Sequence, residues 1–320
     1  MIAVTGAAGF IGSHLARRLM AEGYDLVLVD RALSPGKRAN LAGLAHCRFL
    51  LHDAFLEALE RGHLAPDAVF HLGACSRTTE TDWDFLWSNN VAYSQRLWEW
   101  CAQRRRPFYF ASSAATYGNG SLGFDDRTPP ERLSPLNLYG RSKNEFDAWA
   151  LGRGDESPPH WAGLKFFNVY GPNEAHKQRM ASVVWQAYLQ IVESGEVRLF
   201  RSNTPAVADG EQRRDFVFVR DCVDHVLWLW RHRAPNGLYN SGTGRARTFL
   251  DLARAVFSAL RMPERIRFID MPADVAGQYQ NFTQADVNSL RVAGYEWPAT
   301  SLEEGVAETI AELRRPALAA

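Results

Sequence analysis

The chain has 320 residues, of which 46% are hydrophobic and 22% are charged. This is the ordinary composition of a soluble globular protein, and the length allows one large domain or two ordinary ones. Lys plus Arg number 36 and Asp plus Glu number 36, so the formal net charge is zero. A neutral balance gives no reason to expect nucleic acid or an anionic membrane as a partner, and no apolar run is long enough to span a bilayer.

Several other features bear on location and metal content. A strand that begins at residue 2 leaves no room for a signal peptide, and the four cysteines are scattered without a Cys-x-x-Cys pair. Reduced thiols and a cytoplasmic location are therefore expected. The nine histidines form no metal-binding motif, so no protein-bound metal is expected.

The first predicted element is a short apolar strand over residues 2–4, followed by glycines at Gly6, Gly9 and Gly12 and by an amphipathic helix. In such a unit the first glycine allows a tight turn and the second lets the backbone approach a pyrophosphate. The third lets the helix pack on the strand. The N–H groups at the start of the helix then face the anion. The pattern predicts a dinucleotide site, the alternative being a turn that merely happens to contain glycines.

The second predicted strand, residues 25–29, ends at Asp30, where an acidic side chain can accept hydrogen bonds from the adenosine ribose. Arg31, Lys37 and Arg38 follow, and a basic cluster can hold the 2′-phosphate that distinguishes NADP from NAD. Asp30 favours NAD and the cluster favours NADP, so these residues alone leave the choice open. A solvated loop with three charges is the third interpretation.

Strands and helices alternate along the first half of the chain, which predicts an α/β fold with a doubly wound parallel sheet of the Rossmann type. Past Pro172 the pattern becomes irregular and predicts a smaller α/β lobe, partly interleaved with the first. The predicted domains are 1–170 for a dinucleotide and 171–320 for a substrate. Further strands are predicted over residues 49–51, 68–72, 108–111, 164–167, 197–200, 216–219 and 238–240.

Tyr139 and Lys143 lie four residues apart on a predicted helix, so both side chains leave the same face. A nearby ammonium favours the tyrosinate and is expected to lower the pKa of Tyr139 toward the range of a general base. Ser113 ends a predicted strand, where its hydroxyl can bond the reacting oxygen.

Only four of the 36 basic residues are Lys. Unlike Arg, Lys can release a proton near neutrality, so its positions point to proton transfer.

These motifs, together with Asn168-Val169-Tyr170-Gly171-Pro172, resemble the extended short-chain dehydrogenase/reductases, the superfamily of nucleotide-sugar epimerases and dehydratases. Within it the chain resembles the 6-epimerases of ADP-heptoses. The narrower resemblance is carried by Gly73-Ala74-Cys75-Ser76, by His176-Lys177 with Met180-Ala181-Ser182, and by Phe282-Thr283-Gln284-Ala285-Asp286.

The resemblance implies that the C6 hydroxyl of an ADP-heptose is oxidised to a ketone by tightly held NADP and then reduced on its other face. Tyr139 and Lys177 match the two acid–base positions, one on each side of the sugar, while Lys143 and Ser113 complete the catalytic set. The product would be a heptose precursor of the lipopolysaccharide core. The resemblance also implies a ring-like homo-oligomer, a pentamer.

The resemblance adds further binding residues to those already derived from the glycine turn and from the end of the second strand. Asp53 is placed near the adenine because it follows a predicted strand. Cofactor contacts are expected from Gly6, Gly9, Phe10, Ile11, Gly12, Asp30, Arg31, Lys37, Asp53, Leu72, Gly73, Ala74, Cys75, Ser76, Asn89, Lys143, Val169 and Lys177. Substrate contacts are expected from Asn168, Arg179, Gln186, Phe200, Arg201, Ser202, Asn203, Arg214 and Tyr279.

The chain departs from the family pattern mainly in its substrate half. Arg179 stands where the family usually has Ser, and Gln186 where it usually has His. The loop over 202–212 is longer than usual, and the lysine usually found near Asp53 is absent. These departures leave the redox residues intact and bear on the sugar or nucleotide preference.

The same residues bear on three other functions. Dehydratases need an Asp-Glu pair directly after the active-site Ser or Thr, whereas Ala114 and Ala115 follow Ser113 here, which argues against elimination. A UDP-sugar 4-epimerase uses the Tyr alone, so Lys177 argues against it. A non-catalytic NADP-binding regulator predicts loss of Tyr139, Lys143 or Ser113, and all three are present.

Overall fold

The computed structural model describes residues 1–272 and 279–315; residues 273–278 and 316–320 of the predicted second domain lie outside that description. The strands are β1 Ile2–Thr5, β2 Leu26–Asp30, β3 Arg48–Leu51, β4 Ala68–His71, β5 Phe108–Ser113, β6 Trp161–Phe166, β7 Asn168–Tyr170, β8 Val197–Phe200, β9 Arg213–Arg214, β10 Phe216–Phe218, β11 Gly237–Ser241, β12 Arg247–Thr248 and β13 Ile266–Ile269. The α-helices are α1 Phe10–Ala21, α2 Pro35–Asn40, α3 His52–Glu60, α4 Trp83–Leu86, α5 Tyr93–Gln103, α6 Leu138–Leu151, α7 Val183–Ser194, α8 Val219–Arg231, α9 Phe249–Leu260, α10 Asn288–Val292 and α11 Leu302–Leu313.

A seven-stranded sheet forms the centre of the molecule, in the order β11-β6-β5-β4-β1-β2-β3. Every neighbouring pair in it is parallel; Val4 of β1, for example, lies opposite Leu28 on one side and Phe70 on the other. Strands β1, β2, β4 and β6 are buried along their whole length, as expected for a parallel sheet covered on both faces. The predicted doubly wound parallel fold is therefore confirmed.

The strand order reverses between β1 and β4, because the chain runs from β1 outward to β3 and then returns to the other side of β1. In open α/β sheets, ligands bind at the carboxyl ends of the strands next to such a reversal. The loops that follow β1 and β4 meet there, so the topology alone marks this edge of the sheet as the place for a site.

The second half of the chain adds a smaller layer and also extends the large sheet. Pairs β8–β13 and β7–β10 are parallel and β9–β12 is antiparallel. Strands β7, β8, β10 and β13 contribute to an apolar cluster that includes Val184, Ile191 and Val256. Strand β11 pairs with β6, and α8 packs on α1, so elements from beyond residue 170 join the layers built by the first half.

Local signals set the start of the helices that bear site residues. Asn137 caps α6, since its side chain accepts a hydrogen bond of 2.8 Å from the Gly140 N–H, and Ser182 caps α7 in the same way. Helix α7 accordingly begins at Val183. Among the described residues, none of the helices combines the length and the apolar composition needed to cross a bilayer.

Candidate active site

A cleft of about 830 Å³ lies at the carboxyl ends of β1, β4, β5 and β6, where the strand order reverses. It brings together residues that are far apart in the sequence and that come from both halves of the chain. The predicted residues that line it are Gly6, Gly9, Phe10, Ile11, Gly12, Asp30, Arg31, Lys37, Leu72, Gly73, Ala74, Cys75, Ser76, Asn89, Ser113, Tyr139, Lys143, Asn168, Val169 and Lys177.

The glycine turn after β1 has the shape of a phosphate cradle. Gly6 has a φ of +67°, and a Cβ there would lie 2.7 Å from the Gly73 nitrogen. A Cβ on Gly12 would lie 2.1 Å from the Gly6 carbonyl oxygen. Gly9 precedes α1 and makes no side-chain cap, so the helix start is open to an anion. The turn therefore fits a pyrophosphate and tolerates no side chain at Gly6 or Gly12.

Asp30 is buried at the end of β2 and is already surrounded by donors. Its carboxylate accepts hydrogen bonds from the Ala8 N–H (3.2 Å), the Arg31 N–H (2.8 Å) and the Lys37 ammonium (2.6 Å). The Arg31 guanidinium lies over the ring of Phe85, 4.5 Å from its centroid. One cation, that of Lys37, thus pairs with the carboxylate, and a second, that of Arg31, lies over Phe85 and belongs to a residue that also lines the cleft. The third member of the predicted basic cluster, Arg38, is exposed and does not line it.

The segment after β4 is fixed by a side chain from a distant helix. Asn90 accepts a hydrogen bond of 2.8 Å from the Cys75 N–H and donates to the Cys75 carbonyl at 3.0 Å and to the Ser142 hydroxyl at 2.9 Å. Asn89 and Asn90 belong to a π-helical segment, Trp87–Ala92, between α4 and α5, a distortion frequent at functional sites. Asn90 therefore ties the cleft wall to α6, although only its neighbour Asn89 was predicted.

Tyr139 and Lys143 leave α6 on the side of the cleft, and Ser113 ends β5 beside them. The prediction that a neighbouring ammonium lowers the pKa of Tyr139 is wrong. Desolvation raises the pKa of Tyr139, and only a hydrogen bond with Ser113 opposes that rise. The Lys143 ammonium instead donates to the Ala111 carbonyl at 2.9 Å.

The Lys143 amine is buried, with 5% of the residue exposed. Burial disfavours its charged form and lowers its pKa to about 8, against the opposing influence of Asp147 one turn further along α6. A pKa near 8 allows an amine to change its charge within the range in which enzymes operate. The ammonium also acts on His71, whose pKa falls to about 3 through burial and then through the charge of Lys143.

Lys177 reaches the cleft from a 3-10 segment, Ala175–Met180. Its ammonium donates to the Glu174 carboxylate at 2.9 Å and lies 4.9 Å from the centroid of the Phe10 ring. Phe10 opens α1, directly after the glycine turn. The second predicted acid–base residue thus borders the same cleft as Tyr139 but comes from a different part of the chain.

The residues predicted to hold the substrate divide into three groups. Asn168 lines the cleft, whereas Arg214, Phe200 and Tyr279 form a cluster outside its lining. Arg214 is 6% exposed, its guanidinium lies 4.9 Å from the Tyr279 ring centroid, and the Tyr279 ring meets the Phe200 ring edge-on at 6.4 Å. Burial lowers the pKa of Arg214, and the cluster offers a planar cation between aromatic rings.

The remaining substrate candidates lie further out. Arg179 is exposed, and the Gln186 amide donates to the Gln178 carbonyl at 2.7 Å rather than facing the cleft. Arg201 pairs with Asp209 at 3.1 Å. Ser202 and Asn203 line a separate open recess of about 440 Å³ within their own loop.

Asp53 does not reach the cleft. Its side chain is 87% exposed and contacts His52 at 3.4 Å, and His52 is the residue that lines the cleft. The reason is local, since the third strand ends at Leu51 and α3 begins at His52, which turns the next side chain outward. His52, rather than Asp53, is therefore the residue of this pair that borders the cleft.

Sequence reasoning also missed residues with little local signal. Phe85, Ser112, Phe166, Phe167, His176 and Gln178 all line the cleft. Glu174 could have been found from the sequence, because it precedes Lys177 by three positions and side chains at that spacing meet on a helix. Among the described residues, no group of three or more His, Cys, Asp or Glu side chains is arranged to hold a metal ion.

A comparison with known families matches residues 2–242 to the model of the "NAD dependent epimerase/dehydratase family". Among curated proteins, the chain is 49% identical over 314 residues to ADP-L-glycero-D-manno-heptose-6-epimerase of Nitratidesulfovibrio vulgaris, with 97% of each chain covered.

Among solved structures, the fold is similar to that of Helicobacter pylori ADP-L-glycero-D-manno-heptose-6-epimerase. The TM-score is 0.84 and the identity 27%, covering 98% of this chain and 95% of the other. The fold is also similar to Thermus thermophilus UDP-glucose 4-epimerase in complex with NAD. There the TM-score is 0.80 and the identity 26%, with 98% of each chain covered.

Proposed function

The chain belongs to the NAD dependent epimerase/dehydratase family, and on this premise we propose that it interconverts ADP-D-glycero-β-D-manno-heptose and ADP-L-glycero-β-D-manno-heptose at C6. The observation that carries the proposal is the presence of two acid–base candidates, Tyr139 and Lys177, at one cleft beside a phosphate cradle. A sugar whose C6 is oxidised in one orientation and reduced in the other needs a proton-transfer group for each. The near full-length identity to a curated heptose epimerase supports this substrate.

Membership of the family and the NAD complex of a similar structure support a nicotinamide cofactor, and the cradle at Gly6, Gly9 and Gly12 fits its pyrophosphate. When bound, the cofactor accepts a hydride from C6 and returns it. We propose that it is NADP, because Arg31 and Lys37 both line the ribose end of the cleft. The Asp30 carboxylate, which would otherwise disfavour a 2′-phosphate, already pairs with Lys37. NAD is the alternative.

The proton steps are assigned to residues of the chain. In one orientation of the sugar, Tyr139 takes the proton of the C6 hydroxyl, and its hydrogen bond with Ser113 favours the phenolate. Lys143 lines the same cleft and is assigned to the cofactor. In the other orientation, Lys177 gives a proton to the ketone oxygen as the hydride returns to C6. One turnover thus leaves a proton on Tyr139 and removes one from Lys177, so exchange with water must restore both groups before the next turnover. The oxidation and the reduction at C6 cancel, so no external oxidant is consumed.

The nucleotide end is assigned to Arg214, Phe200 and Tyr279. A forked guanidinium suits a diphosphate, and the rings beside it offer flat apolar surfaces to adenine. Asn168 lies between this cluster and the redox residues, since it lines the cleft and its backbone N–H donates to the Asp215 carbonyl next to Arg214.

A UDP-sugar 4-epimerase is the second candidate, and similarity to the Thermus thermophilus structure favours it. The Lys177 ammonium at the cleft argues for the first candidate, because a 4-epimerase of this superfamily uses the tyrosine alone. Elimination of water finds no support, since Ala114 and Ala115 carry no carboxylate after Ser113.

The test is an NMR assay of the purified protein with ADP-D-glycero-heptose and, separately, UDP-glucose, without added cofactor. The proposal expects inversion at C6 of the heptose and no change at C4 of glucose. Inversion of UDP-glucose alone would overturn it in favour of the second candidate. The expected cytoplasmic location, pentameric assembly, and lack of nucleic-acid or membrane partners stay predictions.

A further inference from the structure

Glu174 is a buried carboxylate that the proposed mechanism does not use. The residue is 0% exposed, and it lies between the end of β7 and the start of α7. A buried carboxylate is costly unless donors surround it, so its partners indicate what it does.

Three donors converge on Glu174. Its Oε1 accepts from the Gly171 N–H at 3.3 Å, and its Oε2 accepts from the Ser182 N–H at 2.8 Å and from the Lys177 ammonium at 2.9 Å. The two backbone donors are parts of the main chain at the ends of regular elements, so they fix the carboxylate in place. The third donor is therefore the one whose position the carboxylate determines.

The other side of the Lys177 ammonium is also bounded. The Phe10 ring lies 4.9 Å away, and the backbone of the neighbouring Gln178 has a φ of +50°, which a residue other than glycine rarely adopts. The turn that carries Lys177 is thus held in an unusual conformation. An ammonium has three N–H groups, and one of them is directed at Glu174.

We propose that Glu174 is a positioning residue for Lys177: it fixes the ammonium at the cleft by a charge-assisted hydrogen bond, leaving the other N–H groups for the sugar oxygen. Loss of its charge would then impair proton transfer on the Lys177 side and leave the Tyr139 side unchanged. The inference rests on the proposed function, which gives Lys177 its role.

The first test follows the side-chain NMR signal of the Lys177 ammonium. Because the chain has only four lysines, nitrogen-isotope labelling of lysine gives a side-chain NMR spectrum with few signals, and Lys177→Met identifies one of them. In Glu174→Gln we expect that signal to shift or to be lost through faster proton exchange, while the Lys143 and Lys165 signals persist and show that the fold is intact. Four unchanged signals would overturn the proposal.

The second test separates the two sides of the cleft by single-turnover oxidation of each epimer, followed by the absorbance of the reduced nicotinamide. We expect Glu174→Gln to slow by about 10- to 100-fold only the oxidation that Lys177→Met abolishes. Added to Lys177→Met, the substitution should have no further effect. Equal slowing of both oxidations would overturn the positioning role and make Glu174 merely structural.

Control variants complete the design. Glu312→Gln alters a carboxylate that pairs with Arg315 at the same spacing on the surface, and it should change neither oxidation.

If Glu174→Gln does not fold, Glu174→Asp keeps the charge and should give an intermediate loss on the same side; equal loss on both sides would again overturn the proposal. If Lys177→Met retains both oxidations, the proposed function fails instead, and the NMR result remains as the separate test of the anchor.

Discussion

The two amines of the cleft are held in opposite ways. Lys143 is buried and donates to a neutral carbonyl, that of Ala111, and burial lowers its pKa to about 8. Lys177 keeps a quarter of its side chain exposed, 24%, and donates to the buried carboxylate of Glu174. One side of the cleft therefore has an amine that can lose its proton near pH 8, whereas the other has an ammonium whose charge is paired with the Glu174 carboxylate.

The largest expected effect is the loss of activity when the amine of Lys143, on the Tyr139 side of the cleft, is removed. Lys143→Met should lower kcat/KM by about 10²- to 10⁴-fold, because the cleft loses the buried positive charge and the cofactor contact assigned to Lys143. In the wild type we expect kcat/KM to decline as the pH rises through about 8, where Lys143 loses its proton. Lys143→Arg, which cannot titrate there, should lack that decline. A decline that persists in this variant would show that another group causes it.

A buried ion pair lies behind the Tyr139 side, and breaking it is the next largest effect. Lys165 and Asp147 are both 0% exposed and 2.7 Å apart, and Asp147 also accepts from the Ser112 hydroxyl at 2.6 Å. Lys165→Met should lower the free energy of unfolding by about 3–5 kcal/mol, since it leaves the Asp147 charge unpaired. Urea denaturation measures it.

The matched control for that pair lies on the surface. Arg61→Met removes an ion pair with Glu57 whose side chains are 65% and 57% exposed, and it should cost about 1 kcal/mol or less. Similar losses in the two variants would show that the buried pair has no special role.

A smaller effect is expected on cofactor affinity, at the part of the cleft lined by Asp30 and Lys37. Lys37→Met should weaken NADP binding by about tenfold or more and NAD binding less, because it removes a charge-assisted contact to a 2′-phosphate. Calorimetric titration of the two cofactors measures both affinities. Arg38→Met is the control, since Arg38 is exposed outside the cleft, and it should change neither. Equal weakening of NAD and NADP by Lys37→Met would contradict the NADP assignment.

At neutral pH the smallest effect belongs to the buried His71, because its influence on stability appears only as the pH falls. His71 lies next to Lys143 and has a pKa lowered to about 3. Because it is neutral when folded and protonates near pH 6.5 when unfolded, its contribution is complete above pH 6.5 and is lost as the pH falls toward 3. His71→Asn should flatten this decline by up to about 1.4 kcal/mol per pH unit. An unchanged slope would contradict the assignment.

Local spacing was enough to predict residues that reach the cleft from a single element. The glycines of the first turn and the Tyr139–Lys143 pair are such cases, because a turn and a helix face follow from a few neighbouring residues. The strand alternation likewise predicted the parallel sheet. Arg214, Phe200 and Tyr279 are far apart in the chain, and a resemblance rather than any spacing named them.

The predictions that failed concern properties of the folded chain, which the spacing of residues along the sequence does not record. The pKa of Tyr139 depends on desolvation by the assembled cleft, which reverses the direction predicted from the nearby lysine. Asp53 faces outward because α3 begins one residue earlier. The partnership of Asp147 with Lys165 joins α6 to β6, two elements whose adjacency only the folded sheet creates.

The proposed two-sided cleft requires Tyr139 and Lys177 to serve opposite epimers, and single-turnover oxidation of the D- and L-glycero sugars by Tyr139→Phe and Lys177→Met tests this directly. We predict that each variant retains the oxidation of one epimer and loses that of the other, in reciprocal fashion. Loss of the same oxidation in both variants, or of both oxidations in each, would contradict a two-sided cleft.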